Sequence, residues 1–275
     1  MTPPIGHSTG WLSTRNVCTS LTEHAMTIRE AGGDAMEIFW KHPVVRDTAA
    51  FETWRKDFRH VSLHLASFED STSKEDLVAE FDAIAAYGST LQTRATVVHP
   101  QYCTDELYTL MRERRIPVTV ENMDRRQTSG YSLEELLFLR QKHNVMFCLD
   151  LQHAYERSVD AKLHNDAFCK AYVAMMLEGG RLSVLHVSGE TTDASGVQQQ
   201  SHTSLHHATN REEIVYALRS VLRQAEVPII LEGDYLAHLP TNFTPASEAD
   251  AHDICRRAMA TMREERAWLC RELAK

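Results

Sequence analysis

The chain has 275 residues, of which 43% are hydrophobic and 24% charged, a composition typical of a globular protein with a large core. Its formal charge of -9 disfavours broad binding to nucleic-acid backbones, and no apolar run approaches the roughly 18 residues of a membrane span. The six cysteines are scattered and form no CxxC pair, which predicts reduced thiols in a cytoplasmic protein without a secretion signal.

Short apolar runs rich in β-branched residues alternate with helical stretches along the whole chain. Strands that alternate with helices form parallel sheets, and eight such units favour closure into a barrel. The sequence therefore predicts the α/β class and a single (β/α)8 TIM barrel over residues 1–275, with a C-terminal helix. The predicted strands cover residues 5–8, 35–40, 61–65, 95–99, 118–121, 145–150, 182–187 and 228–232.

Helix signals fill the intervals between these strands. Ser20 with Glu23, and Ser132 with Glu135, have the spacing of capping boxes, and the pair at 32–33, Gly-Gly, is expected to end the first helix. The longest interval contains the polar segment 189–209, which we interpret as an active-site loop. The other predicted helices cover residues 51–59, 74–87, 105–114, 160–178, 211–224 and 248–273.

Six of the apolar runs end in a histidine or in a residue with a carboxylate side chain. Because all strands of a parallel barrel end at one mouth, these side chains are expected to converge there. Buried carboxylates that face one cavity repel one another unless cations lie between them, and this mixed set suits Zn²⁺, Mn²⁺ or Fe²⁺. The pattern thus predicts a metalloenzyme site made by His64, His99, Glu121, Asp150, His186 and Glu232.

Further candidates stand next to these strand ends. His153 lies on the turn after Asp150, so both side chains can reach the same cavity. His202 lies in the polar segment after the seventh strand and is a further candidate ligand. His7 and Glu37 lie within the first two strands, where each either faces the mouth or packs in the barrel wall.

Several motifs together resemble the xylose-isomerase-like TIM-barrel superfamily, most closely its endonuclease IV branch. The segment HPQ at 99–101 resembles that family's HPG, and ENM at 121–123 resembles its ENT-type segment. FCLDLQH at 147–153 resembles its CxDTCH signature. His186 with the later His202 resembles its His…Asp-x-His segment, and Glu232 matches the glutamate after its last strand.

The resemblance implies a hydrolase of small-molecule or nucleic-acid phosphoesters, with two or three divalent ions, usually zinc, and Glu121 and Glu232 as the catalytic carboxylates that bridge or hold them. The chain departs from the family pattern at Gln200, where the family has a ligand aspartate, and at Ser67, where it has an aromatic residue. Apart from the pair at 125–126, no basic cluster marks a DNA track. These departures favour two ions and a substrate smaller than duplex DNA. The implied ligands are His64, His99, Glu121, Asp150, His153, His186, His202 and Glu232.

Other classes stay open. A sugar or sugar-phosphate isomerase or epimerase would hold one Mn²⁺ or Mg²⁺ through Glu121, Asp150, His186 and Glu232, and its two glutamates would move a proton. Such an enzyme does not need His64, His99 or His202. A multinuclear iron-dependent oxidative enzyme is a further alternative, because the segments 186–189 and 231–234 faintly resemble related iron barrels. A non-catalytic binding protein on the same barrel is the non-enzyme alternative.

Overall fold

Eight parallel strands close into a barrel, so the predicted (β/α)8 TIM barrel is confirmed. The computed structural model describes residues 2–10, 21–40, 48–65, 73–124, 126–160, 165–239 and 243–275. Around the barrel the strands follow the order β1-β2-β3-β4-β5-β6-β7-β10, which closes back on β1. The barrel strands are β1 (Ile5–Ser8), β2 (Ala35–Trp40), β3 (His60–Leu65), β4 (Ala95–Val98), β5 (Val118–Glu121), β6 (Met146–Asp150), β7 (Leu182–Val187) and β10 (Ile229–Leu231).

Helices follow most of the barrel strands and pack on their outer faces. No helix in the described ranges is long and apolar enough to cross a membrane. Within the described ranges the α-helices are Leu21–Glu30, Thr48–Arg55, Lys74–Leu91, Asp105–Glu113, Leu133–His143, Leu151–Asp160, Asn165–Leu177, Arg211–Leu222 and Glu248–Leu273.

Local signals account for several of these boundaries. The capping box of Ser132 and Glu135 is present at the start of its helix, and Gly32, with φ of 90°, follows the end of the first. Ser20 lies outside the described residues. The helix predicted for 160–178 is present over Asn165–Leu177, but a preceding helix, Leu151–Asp160, begins directly after β6 and was not predicted. Asp150 explains the early start, since its Oδ1 accepts the His153 N–H at 2.8 Å and caps the new helix.

The interior of the barrel holds a small apolar layer directly below the mouth. Side chains on one strand alternate between its two faces, so a residue two positions after an interior residue also faces inward. Five buried residues form this layer, and on each of their strands the inward residue two positions later has a carboxylate or imidazole side chain. The five are Ala35, Val97, Cys148, Val184 and Ile230.

The polar segment after β7 is not an irregular loop. It forms an antiparallel hairpin of β8 (Gly189–Thr192) and β9 (Gln198–Thr203), followed by a short 3-10 helix at Leu205–His207. Gly189 lets the segment after the hairpin pack closely on β8, since a Cβ there would lie 2.3 Å from the Cβ of Ala208. The hairpin therefore forms one wall of the mouth and brings His202 over the strand ends.

Candidate functional site

The carboxyl ends of the barrel strands bring all eight predicted ligands into one connected cluster. Glu121, Asp150 and His186 end or lie near the end of their strands, and His99 and Glu232 directly follow theirs. The remaining three reach the same cavity from β3, from the helix after β6 and from β9. Their role as metal ligands stays a prediction, whereas their convergence is a feature of the structure.

Three groups of side chains within the cluster have the spacing of ion-binding sites. In each group the potential ligand atoms lie within 4.8 Å of one another. The groups share two carboxylates, so they form one continuous cluster rather than separate sites. They are His64, His99 and Glu121; Glu121, Asp150, His186 and Glu232; and Asp150, His153 and His202.

Glu121 lies between the first two groups. Its Oε2 is 3.3 Å from His64 Nε2 and 3.2 Å from His99 Nε2. Its Oε1 faces the other way, 3.6 Å from His186 Nδ1 and 3.4 Å from His153 Nδ1. One buried carboxylate therefore presents a separate oxygen to each side of the cluster, which is the arrangement of a bridging ligand.

Three of the histidines are held through one ring nitrogen. His153 Nδ1 lies 2.8 Å from the carbonyl oxygen of Asn122, and His202 Nδ1 lies 3.1 Å from Ser188 Oγ. His186 Nε2 lies 3.0 Å from Glu37 Oε2. Such contacts set the tautomer and ring orientation of metal-binding histidines.

The donor set fits a cation because some of its buried atoms have no other partner. Asp150 Oδ2 and His186 Nδ1 are buried and have no hydrogen-bond partner among the described residues. His186 Nδ1 lies 3.1 Å from Glu232 Oε2, but outside hydrogen-bond geometry. Buried oxygens and nitrogens rarely stay unsatisfied, so this pair is suited to an ion between Asp150, His186 and Glu232.

Charges inside the cluster shift the pKa values of its members strongly. Burial alone would raise the pKa of Glu121, but the charges of His186 and His99 outweigh burial and hold that pKa well below its usual range. Burial, reinforced by the charge of Glu121, raises the pKa of Asp150. Burial opposes the charge of His153, yet Asp150 and Glu121 raise its pKa to about 9. A cation that binds here must therefore displace protons.

His202 has an uncommon backbone conformation. Its φ is 53°, in the left-handed region that few non-glycine residues occupy. Its carbonyl oxygen accepts the N–H of Asp234 at 2.6 Å, which ties β9 to the segment after β10. Strained residues of this kind are concentrated at functional sites, which supports a functional role for the imidazole of His202.

The cluster opens into a cavity of about 480 Å³. Phe39 and Met123 provide apolar lining, while His99, His202 and Glu232 are the half-buried cluster members that reach its surface. Among the described residues Arg126 is the only arginine or lysine that lines it. The Arg126 guanidinium is paired with Asp124 and lies 3.2 Å from Glu156 Oε2, so these two carboxylates largely neutralise its charge.

Glu37 is a site residue that the sequence left undecided. It faces the cluster from β2 and forms a further group with His64, His186 and Glu232. Glu37 lies two positions after the interior residue Ala35, and side chains two positions apart on a strand share a face. This spacing is the sequence signal that places Glu37 on the inward face of β2. His7 instead faces outward, where its Nδ1 lies 2.9 Å from the hydroxyl of Tyr235.

Two positions of the sequence depart from the family pattern, and the structure describes only one of them. Gln200 lines a second cavity beside Asp234 and the C-terminal helix, and not the cavity of the cluster. Ser67 and Arg125 lie outside the described residues.

No protein-family model matches the chain, and no curated protein matches it in sequence. Solved structures resemble it over nearly its whole length. They include an L-ribulose 3-epimerase, with a TM-score of 0.61, 12% identity and coverage of 100% of this chain and 95% of that one. Endonuclease IV from Thermus thermophilus has a TM-score of 0.57, 20% identity and coverage of 95% of this chain and 100% of that one.

A third similar structure is the IOLI protein with a binding zinc atom, with a TM-score of 0.56, 13% identity and coverage of 95% of this chain and 97% of that one. These proteins are xylose-isomerase-like TIM barrels, so the predicted resemblance is confirmed for the fold, with endonuclease IV as one similar structure among several. At these identities the likeness concerns the fold alone.

Proposed function

We propose that the protein is a hydrolase of small phosphoesters that depends on two or more divalent metal ions. The observation that carries this proposal is the position of Glu121, whose two oxygens face two different sets of histidines. A carboxylate placed in this way holds two ions close together. Paired ions a few ångströms apart are typical of enzymes that cleave phosphoesters.

The ions would supply an activated water and would neutralise charge on the phosphoryl oxygens. The residues of the chain hold and orient this machinery. Glu121 would bridge the two sides, and Glu232, at the cavity surface, would hold an ion beside His186. His99 is 25% exposed and Glu232 15%, so a substrate in the cavity meets these two ligands directly.

The cavity favours a small substrate over duplex DNA. Its volume of about 480 Å³ accommodates a small molecule, since ligand pockets commonly measure roughly 300–1,000 Å³. Its one described cation, Arg126, is already paired with Asp124. A protein that follows a DNA backbone needs many unpaired lysines and arginines, so metal ions rather than basic side chains would bind the phosphate here.

A sugar isomerase or epimerase is the second candidate. The group of Glu121, Asp150, His186 and Glu232 is complete without the other histidines and can hold one Mn²⁺ or Mg²⁺. One similar structure is an L-ribulose 3-epimerase, which favours this candidate as much as endonuclease IV favours the first. His64 and His99 have no function in this alternative.

Metal analysis and a substrate panel test the proposal. Protein purified without added metal is analysed for zinc, manganese, magnesium and iron, then assayed on small phosphodiesters, abasic-site DNA and ketoses. We expect two or more zinc ions per chain and phosphoester hydrolysis. One manganese or magnesium ion with ketose epimerisation would overturn the proposal, and iron with a visible absorption band would favour an oxidative enzyme.

The variant His99→Ala separates the two candidates. Hydrolysis needs the ion beside His64 and His99, so the variant should lose metal and at least about 10²-fold in turnover, the usual scale for loss of a main electrostatic stabiliser. His252→Ala is the matched control, because that imidazole is 68% exposed on the C-terminal helix. An unchanged metal count and unchanged turnover in His99→Ala would refute the hydrolase.

A further inference from the structure

Glu37 is a fully buried carboxylate on β2 that reaches across the barrel to His186 on β7. Its Oε2 lies 3.0 Å from His186 Nε2 and accepts a hydrogen bond from Ser62 Oγ at 3.0 Å. The second oxygen, Oε1, has no hydrogen-bond partner among the described residues. Because Ser62 Oγ donates to this oxygen, Glu37 is placed to accept a hydrogen from the imidazole nitrogen as well.

The other nitrogen of His186 faces the remaining carboxylates. Nδ1 lies 3.1 Å from Glu232 Oε2 and 3.6 Å from Glu121 Oε1. A neutral imidazole has one protonated nitrogen and one lone pair. If Nε2 donates its hydrogen to Glu37, the lone pair on Nδ1 points to the place where Glu121, Asp150 and Glu232 converge. The opposite tautomer would place a hydrogen there and exclude a cation.

The ring has little freedom to turn away from this orientation. The side chains of His186 and Glu37 are both fully buried, and the ring of His64 stacks on that of His186 with centroids 5.7 Å apart and an angle of 27°. A ring flip would place Cε1 where Nε2 now lies and Cδ2 where Nδ1 now lies, so it would break the contact with Glu37. The contact with Glu37 therefore selects the nitrogen that faces the cluster.

We propose that Glu37 is a positioning residue, which holds His186 in the Nε2–H tautomer and so makes Nδ1 a metal ligand. Glu37 would increase the basicity of Nδ1 through the shared hydrogen, and it would not hold the ion of the group of Glu121, Asp150, His186 and Glu232, because its contact is with the opposite edge of the ring. The proposal rests on the metal site of the proposed function, but it does not depend on which reaction that site catalyses.

Zinc affinity is the first measurement. Zn²⁺ binding to the wild type, Glu37→Gln and Glu37→Ala is measured by competition with a chromogenic chelator. Loss of a carboxylate that holds a metal-binding histidine typically costs about 10- to 100-fold in metal affinity. We expect roughly 10-fold weaker binding for Glu37→Gln, whose amide oxygen can still accept the hydrogen, and up to about 100-fold for Glu37→Ala. Unchanged affinity in both variants would overturn the proposal.

Glu265→Gln is the matched control, because Glu265 is also a fully buried, hydrogen-bonded carboxylate but lies outside the barrel interior. Its zinc affinity should equal that of the wild type. Circular dichroism shows whether each variant is folded. Should Glu37→Ala fail to fold, Glu37→Gln, which preserves shape, still gives the comparison.

The tautomer itself is the second measurement, which a merely structural role for Glu37 would not change. In ¹⁵N-labelled, zinc-loaded protein, the imidazole nitrogen shifts of His186 should show a protonated Nε2 and a metal-bound Nδ1. Glu37→Ala should weaken or abolish this pattern. A metal-bound Nε2 in the wild type would show that the ion lies on the Glu37 side and would overturn the proposal.

These outcomes distinguish the two proposals. Zinc binding with the expected tautomer but without phosphoester hydrolysis would refute the proposed function and leave the role of Glu37 intact. A wild type that binds no divalent metal would refute both.

Discussion

Glu265 should make the stability of this protein depend on pH. The residue lies on the C-terminal helix with no exposed surface, and it accepts hydrogen bonds from the Leu205 N–H and the Tyr235 hydroxyl. Burial, only partly offset by these hydrogen bonds, raises its pKa from 4.5 to about 7. Protonated Glu265 is therefore the form that the folded state prefers over most of the mildly acidic range.

The sign and size of the effect follow from this pKa. Between pH 4.5 and about 7 the unfolded chain releases the proton of Glu265 while the folded chain retains it, so stability decreases as the pH rises. The loss reaches about 3 kcal/mol at pH 8, at about 1.36 kcal/mol per pH unit. Glu265→Gln removes this titration. Relative to the wild type, the variant should gain about 3 kcal/mol in free energy of unfolding between pH 4.5 and pH 8.

Urea unfolding followed by circular dichroism, at both pH values and with a chelator present, measures this difference. Taking the variant relative to the wild type cancels the titration of all other groups. Glu264→Gln is the matched control, since Glu264 is the exposed neighbour on the same helix. A Glu265→Gln difference that stays constant within about 0.5 kcal/mol between the two pH values would refute the reasoning.

Three further predictions concern the site and the barrel. Glu232→Ala should lose metal and activity together while circular dichroism shows an intact barrel, and full metal content with full turnover would mean that the site is wrongly placed. Gly6→Ala should lower the free energy of unfolding by about 3 kcal/mol or more in urea titrations, because its Cβ would lie 1.6 Å from the Ala35 carbonyl oxygen. Gly10→Ala, whose nearest neighbours would be 3.6 Å away, is its control and should change stability little. Zn²⁺ at about 100 times its Kd should add about 2.7 kcal/mol to the free energy of unfolding, whereas equal stability with zinc and with a chelator would exclude binding to the folded state.

The sequence alone determined the barrel and the identity of most residues at its mouth. Apolar runs that end in histidines and carboxylates predict strand ends, and parallel strands bring those ends together whatever the exact geometry. His64, Glu121 and Glu232 could therefore be placed at one mouth without a structure. The pattern is local along each strand, with a period of two residues, so a single chain displays it directly.

The tertiary structure alone decided how these residues contact one another. Glu37 and His186 are 149 positions apart, and only the closure of the barrel brings their side chains within 3.0 Å. The same closure turns one oxygen of Glu121 towards His99 and the other towards His186. Such contacts depend on strand register and ring orientation across the barrel, which no short-range pattern encodes. Only the folded chain therefore shows which nitrogen of each imidazole faces the cluster. It also shows that two groups share Glu121.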